Sequence, residues 1–271
     1  MKKSNISAIV PVHEYNDEVK KYLEICLSSI NEQVEYNFDE IIVVSTKEIY
    51  KKVSNDFPNV INLINRTEST SYQSQVMVGV NSVTSKYFTI IEFDDEISSK
   101  YLKNMILYSN SMNDVDIFLS TIIETNLDNK KVKDTNIQAW SRQLVGDNNE
   151  HGFLNVDLLM NYTDFKVSGA LIKKDVFNEL NGFKNNIIFS FGFEFLLRAL
   201  KNNIKIFVIP KLLYKHLTDR NGSITEHFLN KFTKKDVKFW FDTAISESDF
   251  SKDREIDITK LNEDVKLTIK K

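Results

Sequence analysis

A chain of 271 residues, 42% of them apolar, is long enough to bury one large core, and its 7 Gly and 3 Pro exclude extensive low-complexity sequence. A formal net charge of −3 gives no general attraction to nucleic acid, and a single cysteine, Cys26, excludes an internal disulfide and suits a reducing compartment. The basic start, Met1-Lys2-Lys3, leads into an apolar run that stops at Pro11 and His13, and no stretch is apolar for long enough to span a bilayer, so the expected setting is soluble and cytoplasmic.

In chain order, Ile6 to Val12 reads as a buried strand closed by a polar loop, His13-Glu14-Tyr15-Asn16-Asp17. Asp17 is placed to cap a helix whose apolar residues Val19, Tyr22, Leu23, Cys26, Leu27 and Ile30 recur at helical spacing. Phe38 to Val44 predicts a second buried strand ending at Ser45-Thr46, Lys47 to Asn55 a short helix, Val60 to Ile64 a third strand, and Gln73 to Ser82 a helix. The apolar, β-prone run from Tyr87 to Ile91 then breaks into Glu92-Phe93-Asp94-Asp95-Glu96. One reading is a buried strand delivering carboxylates to its C-terminal edge; the other is a set of acids complementing the dipole of a helix that follows. Such a cluster repels itself unless it is solvated or neutralised by a cation. Hard divalent ions prefer oxygen ligands and commonly bridge carboxylates to a diphosphate. A helix over Ser99 to Ser111 and a strand over Asp116 to Thr125 follow.

Strands and helices alternating at this interval predict an α/β fold, a mostly parallel sheet with helices on both faces. Ligands in such sheets bind beyond the carboxyl ends of the strands. His13-Glu14, Ser45-Thr46 and Glu92-Asp94-Asp95 all fall on that edge. No G-x-G-x-x-G or G-x-x-x-x-G-K follows any strand, which argues against a Rossmann dehydrogenase or a P-loop enzyme. A nucleotide held here needs a metal, and the acids supply its ligands.

The residues carry a family resemblance over roughly 5 to 225. Ile9-Val10-Pro11-Val12-His13-Glu14 is similar to the opening I-V-P-V-Y-N of family 2 glycosyltransferases, and Glu92-Phe93-Asp94-Asp95 to their D-x-D-D motif, with Glu for the first Asp. Gly79-Val80 and Ser85-Lys86-Tyr87-Phe88 sit where that family has its G-I and G-x-Y-I. Val167-Ser168-Gly169-Ala170-Leu171 through Asn181-Gly182-Phe183 resembles the acceptor-side segment, and Tyr214-Lys215-His216 with Gly222-Ser223-Ile224-Thr225 resembles a late motif.

The resemblance implies a GT-A fold in residues 1–225, with 226–271 a C-terminal helix and charged tail, and transfer of a sugar from a nucleoside diphosphate to a hydroxyl acceptor with inversion. It implies a Mn²⁺ or Mg²⁺ ion, a UDP-sugar as the favoured donor, and a glycan, lipid-linked or protein acceptor. By the same resemblance Asp94 binds the ion, His216 completes its shell, Glu92 faces the ribose or a metal-bound water, and Asp95 lies near the donor sugar. Pro11, His13, Glu14 and Ser45 fall to the nucleotide. Ser45-Thr46 stands where the family has an Asp pair that reads the nucleobase, and Met77 where it often has Asn.

Phe191 and Gly192 occupy the positions of the family's E-D, so Glu194 is the one carboxylate of that segment left to act as base. Its alternative is a structural pair with Arg198, four residues on; Asp164 is then a reserve base. Two rival functions are a nucleotidyltransferase, disfavoured because no Gly- and Arg/Lys-rich triphosphate loop follows the first strand, and an inactive sugar-nucleotide-binding protein. The long polar stretch from Leu127 to Gly152 reads as a loop that is either mobile or functional, similar to the lids over glycosyltransferase sites, with Trp140 either stacking on a sugar or tethering the loop, and Arg142 close by. A helix over 226–245 carries Phe228, Leu229, Phe232, Phe239 and Trp240 beside four lysines; packing on the domain is the expected role and peripheral membrane contact the alternative.

Overall fold

The computed structural model of the chain describes residues 2–58, 63–141, 151–187, 189–220, 223 and 233–247. The first half holds β1 (Lys2–Lys3), β2 (Ile6–Val12), α1 (Asp17–Asn31), β3 (Tyr36–Asn37), β4 (Glu40–Thr46), α2 (Lys47–Asp56), β5 (Leu63–Thr67), α3 (Tyr72–Ser82), β6 (Tyr87–Ile90), β7 (Glu96–Ile97) and α4 (Tyr101–Ser111). After it come β8 (Ile117–Thr125), β9 (Lys131–Thr135), a 3-10 turn at Ile137–Trp140, α5 (Val156–Asn161), β10 (Leu171–Lys173), α6 (Lys174–Glu179), α7 (Phe191–Lys201), β11 (Ile206–Leu217) and α8 (Lys234–Glu247).

One nine-stranded sheet runs β5-β4-β2-β6-β10-β8-β11-β7, with β9 alongside β8; β1 and β3 pair separately. β5, β4, β2 and β6 are mutually parallel, and β8 is parallel to β11. The short β10 is wedged antiparallel between β6 and β8, while β7 and β9 run against β11 and β8. Alternation along β2 and β4 divides the apolar side chains between two cores, because successive strand residues point to opposite faces. Ile9, Ile42 and Val44 join the core under α3, α7 and α8, while Ala8, Val10, Ile41 and Val43 join the one under α1 and α4. Gly79 lets α3 press onto β2, since a Cβ there would lie 2.5 Å from the Ile9 side chain.

Several boundaries differ from the sequence reading. α1 is capped by Asn16, whose side chain accepts from the Glu18 and Val19 amides; Asp17 is already inside the first turn, where its charge favours the helix dipole. β4 continues through Ser45 and Thr46 because their backbones pair with Val12 and Thr67, whatever their side-chain polarity. The third strand lies later than expected, and Val60 is outside the described residues. β11 places twelve residues beside nine of β8, with register shifts between Ile209 and Leu212 and between Leu212 and Tyr214.

α8 packs on the domain through Val237, Phe241, Ala244 and Ile245, with the Phe241 ring against Phe189 and Phe193. The Ser190 hydroxyl donates to the Trp240 carbonyl at 2.8 Å. Phe239 is exposed on the outer side, and Phe228, Leu229 and Phe232 lie outside the described residues. Among those residues no helix is long and apolar enough to cross a membrane.

Candidate functional site

β4, β2 and β6 are adjacent and parallel, so the segments leaving their carboxyl ends share one edge of the sheet. Ser45 and Thr46 end β4, His13 and Glu14 follow β2, and Glu92, Asp94 and Asp95 follow β6. Pro11 is buried opposite Val44, beyond the last pairing of β2 with β6 at Ile9 and Ile90, where those two strands part. The His13 ring packs against Phe93 with centroids 5.2 Å apart. Glu14 and Asp94 are joined by one guanidinium, that of Arg220.

The carboxylates of Glu92, Asp94 and Asp95 each offer an oxygen within 4.8 Å of the others. Each also has a partner from a distant segment. Glu92 accepts a hydrogen bond from the Ser168 hydroxyl at 2.6 Å, and Asp94 accepts from Arg220 Nε at 2.6 Å. Asp95, almost wholly buried, accepts from the Tyr214 hydroxyl at 2.7 Å, the Leu217 amide at 2.9 Å and His216 Nδ1 at 2.9 Å. Burial, then the Asp95 charge, raises the Glu92 carboxyl. Burial followed by the charges of Asp95 and Glu92 lifts Asp94 to about 7, against the opposing pull of Arg220. Burial alone would lower His216, but Asp95 outweighs it and the imidazole is raised; burial dominates at His13, which is lowered.

The three acids offer oxygen donors of the kind hard divalent ions prefer, although a side-chain cation already rests on one of them. His216 meets this set differently from the sequence reading. Among the described residues the group with ligand atoms in mutual reach is the three acids, and His216 stands outside it. Its Nδ1 is committed to Asp95, which leaves Nε2 as its one nitrogen for an ion.

Glu194 departs further from the base expected of it. It is fully buried in the first turn of α7, with Oε1 2.6 Å from Arg198 Nε and Oε2 2.8 Å from Arg198 Nη2. Lys184 Nζ lies 3.6 Å from Oε1, and Arg198 also donates to the Leu180 and Gly182 carbonyls. This is the ion-pair arrangement that the spacing to Arg198 offered, with the carboxylate shut away from solvent and both of its oxygens engaged by one guanidinium. Asp164, the reserve base, pairs with Lys133 at 3.2 Å. Trp140 is likewise committed, its indole donating to the Val208 carbonyl at 2.9 Å and its ring edge-on to Phe207, so it tethers rather than stacks on a sugar. Arg142 and the Gly222, Ile224 and Thr225 positions of the late motif are outside the described residues.

Sequence reasoning passed over three residues. Tyr214 was visible only as part of a motif. Yet its hydroxyl accepts from the Glu92 amide at 3.1 Å while donating to Asp95, and its ring explains Gly169, which has φ +65° and where a Cβ would lie 2.2 Å from Tyr214 Cδ2. Arg220 had one signal, that so many acids on one edge demand a cation from the chain itself. Gln75 had none: its amide donates to the Val12 carbonyl at 3.2 Å, beside Ser45, which pairs with Val12. Gln75 Oε1 and Ser45 Oγ are both buried without a hydrogen-bond partner among the described residues.

The family model described as glycosyl transferase family 2 matches residues 7–180. No curated protein matches the chain. Among solved structures, S. aureus TarS 1–349 in complex with UDP-GlcNAc aligns over 94% of this chain and 68% of its own, with a TM-score of 0.66 at 15% identity. A longer S. aureus TarS structure aligns over 93% of this chain and 44% of its own, with a TM-score of 0.57 at 16% identity. The mannosyltransferase PcManGT from Pyrobaculum calidifontis, in complex with GDP-Man and Mn²⁺, aligns over 98% of this chain and 69% of its own, with a TM-score of 0.60 at 13% identity. At these identities the likeness is one of fold, and the fold is GT-A.

Proposed function

The chain belongs to glycosyl transferase family 2, and from that premise we propose that it moves a sugar from a nucleoside diphosphate to a hydroxyl acceptor, with inversion, using a divalent ion held at the edge of the sheet. The observation that carries the metal is the trio Glu92, Asp94 and Asp95, converging beside His13 and Glu14 at the carboxyl ends of parallel strands. The UDP-GlcNAc of TarS and the GDP-Man with Mn²⁺ of PcManGT support a nucleotide sugar as the donor class.

Asp94, the outer of the two motif aspartates, would hold the ion, with Glu92 beside it in the same cluster. When bound, Mn²⁺ or Mg²⁺ neutralises the charge that grows on the departing diphosphate. Asp95 is a positioning residue, fixed by Tyr214, His216 and the Leu217 amide so that the turn carrying Asp94 keeps its shape beside the donor sugar. With Nδ1 bound to Asp95, His216 would have Nε2 to offer as a further donor atom. Pro11, His13 and Glu14 wall the nucleotide. The Ser45 hydroxyl, buried without a hydrogen-bond partner among the described residues, is the group placed to meet the base, since a hydroxyl can donate or accept. A UDP-sugar is the first donor to try.

Calorimetry with UDP, GDP and their sugars, with and without Mn²⁺, tests this reading. Binding of at least one nucleotide is expected to strengthen at least tenfold with the ion. If neither nucleotide binds with Mn²⁺ present, the donor site is misassigned.

A further inference from the structure

Arg220 bridges two acids of the candidate site, and the glycosyl transfer outlined above has no step for it. Its side chain is 3% exposed, and among the described residues three groups lie against the guanidinium. Nε donates to Asp94 Oδ2 at 2.6 Å, Nη1 donates to Glu14 Oε1 at 2.9 Å, and the guanidinium carbon lies 5.0 Å from the Phe93 ring centroid. The arginine therefore arrives from beyond β11 to clasp the loop after β2 and the acidic turn after β6. Asp94 is also the acid the metal needs. A carboxylate oxygen that already accepts a charge-assisted bond is a weakened ligand, and a guanidinium at that distance repels a dication.

We propose that Arg220 is a resident counter-ion that competes with the divalent ion for Asp94. Without donor, the guanidinium keeps the acidic edge neutralised. For Asp94 to serve an ion the guanidinium would have to give up that contact, and its bond to Glu14 would keep the released side chain close by. The metal alone is thus bound weakly. A diphosphate, whose oxygens satisfy both the ion and the released guanidinium, makes the binding of metal and nucleotide mutually reinforcing. The inference rests on the reading of Asp94 as a metal ligand.

Two measurements test it. Mn²⁺ is titrated alone and in the presence of UDP into wild type and Arg220→Gln. In wild type without nucleotide, phenylglyoxal modification of Arg220 is followed by mass spectrometry with and without Mn²⁺. The variant is expected to bind Mn²⁺ alone at least tenfold more tightly and to lose most of the strengthening that UDP gives. Mn²⁺ is expected to raise the reactivity of Arg220 several-fold. Mn²⁺ binding no tighter in the variant, or Arg220 staying shielded while Mn²⁺ is bound, overturns the proposal. Should Mn²⁺ bind neither protein, the metal-site reading itself fails and takes the competition with it. If Arg220→Gln does not fold, the wild-type modification experiment decides alone.

Discussion

Glu194→Gln separates a structural acid from a chemical one. In the native protein the carboxylate is fully buried and gives both oxygens to Arg198, which is itself tied to the carbonyls of Leu180 and Gly182. Glutamine matches the shape and can still accept from Arg198 Nε, but it sets an amide N–H₂ against Nη2 and leaves the partly buried guanidinium without its counter-charge. Breaking a buried pair from one side costs about 3–5 kcal/mol, and the retained acceptor places this change near the lower end, about 3 kcal/mol. For a chain of this size that is roughly 6–12 °C in melting temperature. Glu194→Gln/Arg198→Gln should recover part of the loss, because neither charge is then buried alone. The assay pairs thermal unfolding with the rate of donor hydrolysis or transfer per folded molecule. The expected result is a lowered melting point and an unchanged rate. A melting point within a degree of wild type, with the rate down about a hundredfold or more at unchanged donor affinity, is what loss of a general base would give, and it would refute the structural reading.

Asp94→Asn should weaken metal-dependent binding of UDP or GDP at least tenfold, about 1.4 kcal/mol, by calorimetry; unchanged affinity would remove Asp94 from the metal site. Ser45→Ala should leave the melting point unchanged or slightly higher, since its hydroxyl is buried without a partner, yet cost about 1 kcal/mol of nucleotide binding if that hydroxyl meets the base. Gly169→Ala should lose about 3 kcal/mol in urea denaturation, the sum of a left-handed backbone and a clash with Tyr214; a loss under about 1 kcal/mol would show that the tyrosine can move. Burial pushes the Glu124 carboxyl up, but Lys166, the Thr135 hydroxyl and Lys133 outweigh it and hold it below the ordinary range. The stability it contributes is therefore present above the unfolded value, about 4.3, and drains as pH falls through the folded one, so Glu124→Gln should lower stability at pH 7 and flatten the acid limb of the stability–pH curve.

The strand-helix alternation and the acidic break after Ile91 were legible because burial on both faces writes long apolar runs, and Glu92-Phe93-Asp94-Asp95 interrupts one of them. Where the strands ended was less so: backbone pairing carried Ser45 and Thr46 into β4, and nothing in a hydroxyl side chain forbids that. The three-residue β10 is too short to show a period, so its antiparallel place between β6 and β8 could not be read. Spacing offered Glu194 and Arg198 as a pair and chemistry offered Glu194 as a base; burial, which a sequence does not state, separates the two. Arg220 reaches Asp94 across 126 positions of chain, a contact that no local pattern encodes.

β11 spends three more residues than β8 over the same span, and three is an odd number. Before the irregular stretch, Phe207 and Ile209 face the α1 and α4 side; after it, Tyr214 does, so the excess has exchanged the odd set for the even one. The bulges act as a phase shifter. Tyr214 and His216 reach Asp95 because of it, while Lys215 pairs with Glu96 instead. Removing a single residue such as Lys211 would shorten Ile209 to Tyr214 from five steps to four, and plain alternation would then carry Tyr214 and His216 to that face without the phase shift. The tolerance of this one exposed stretch to insertion and deletion is therefore a measure of how firmly the bulges hold Tyr214 and His216 against Asp95.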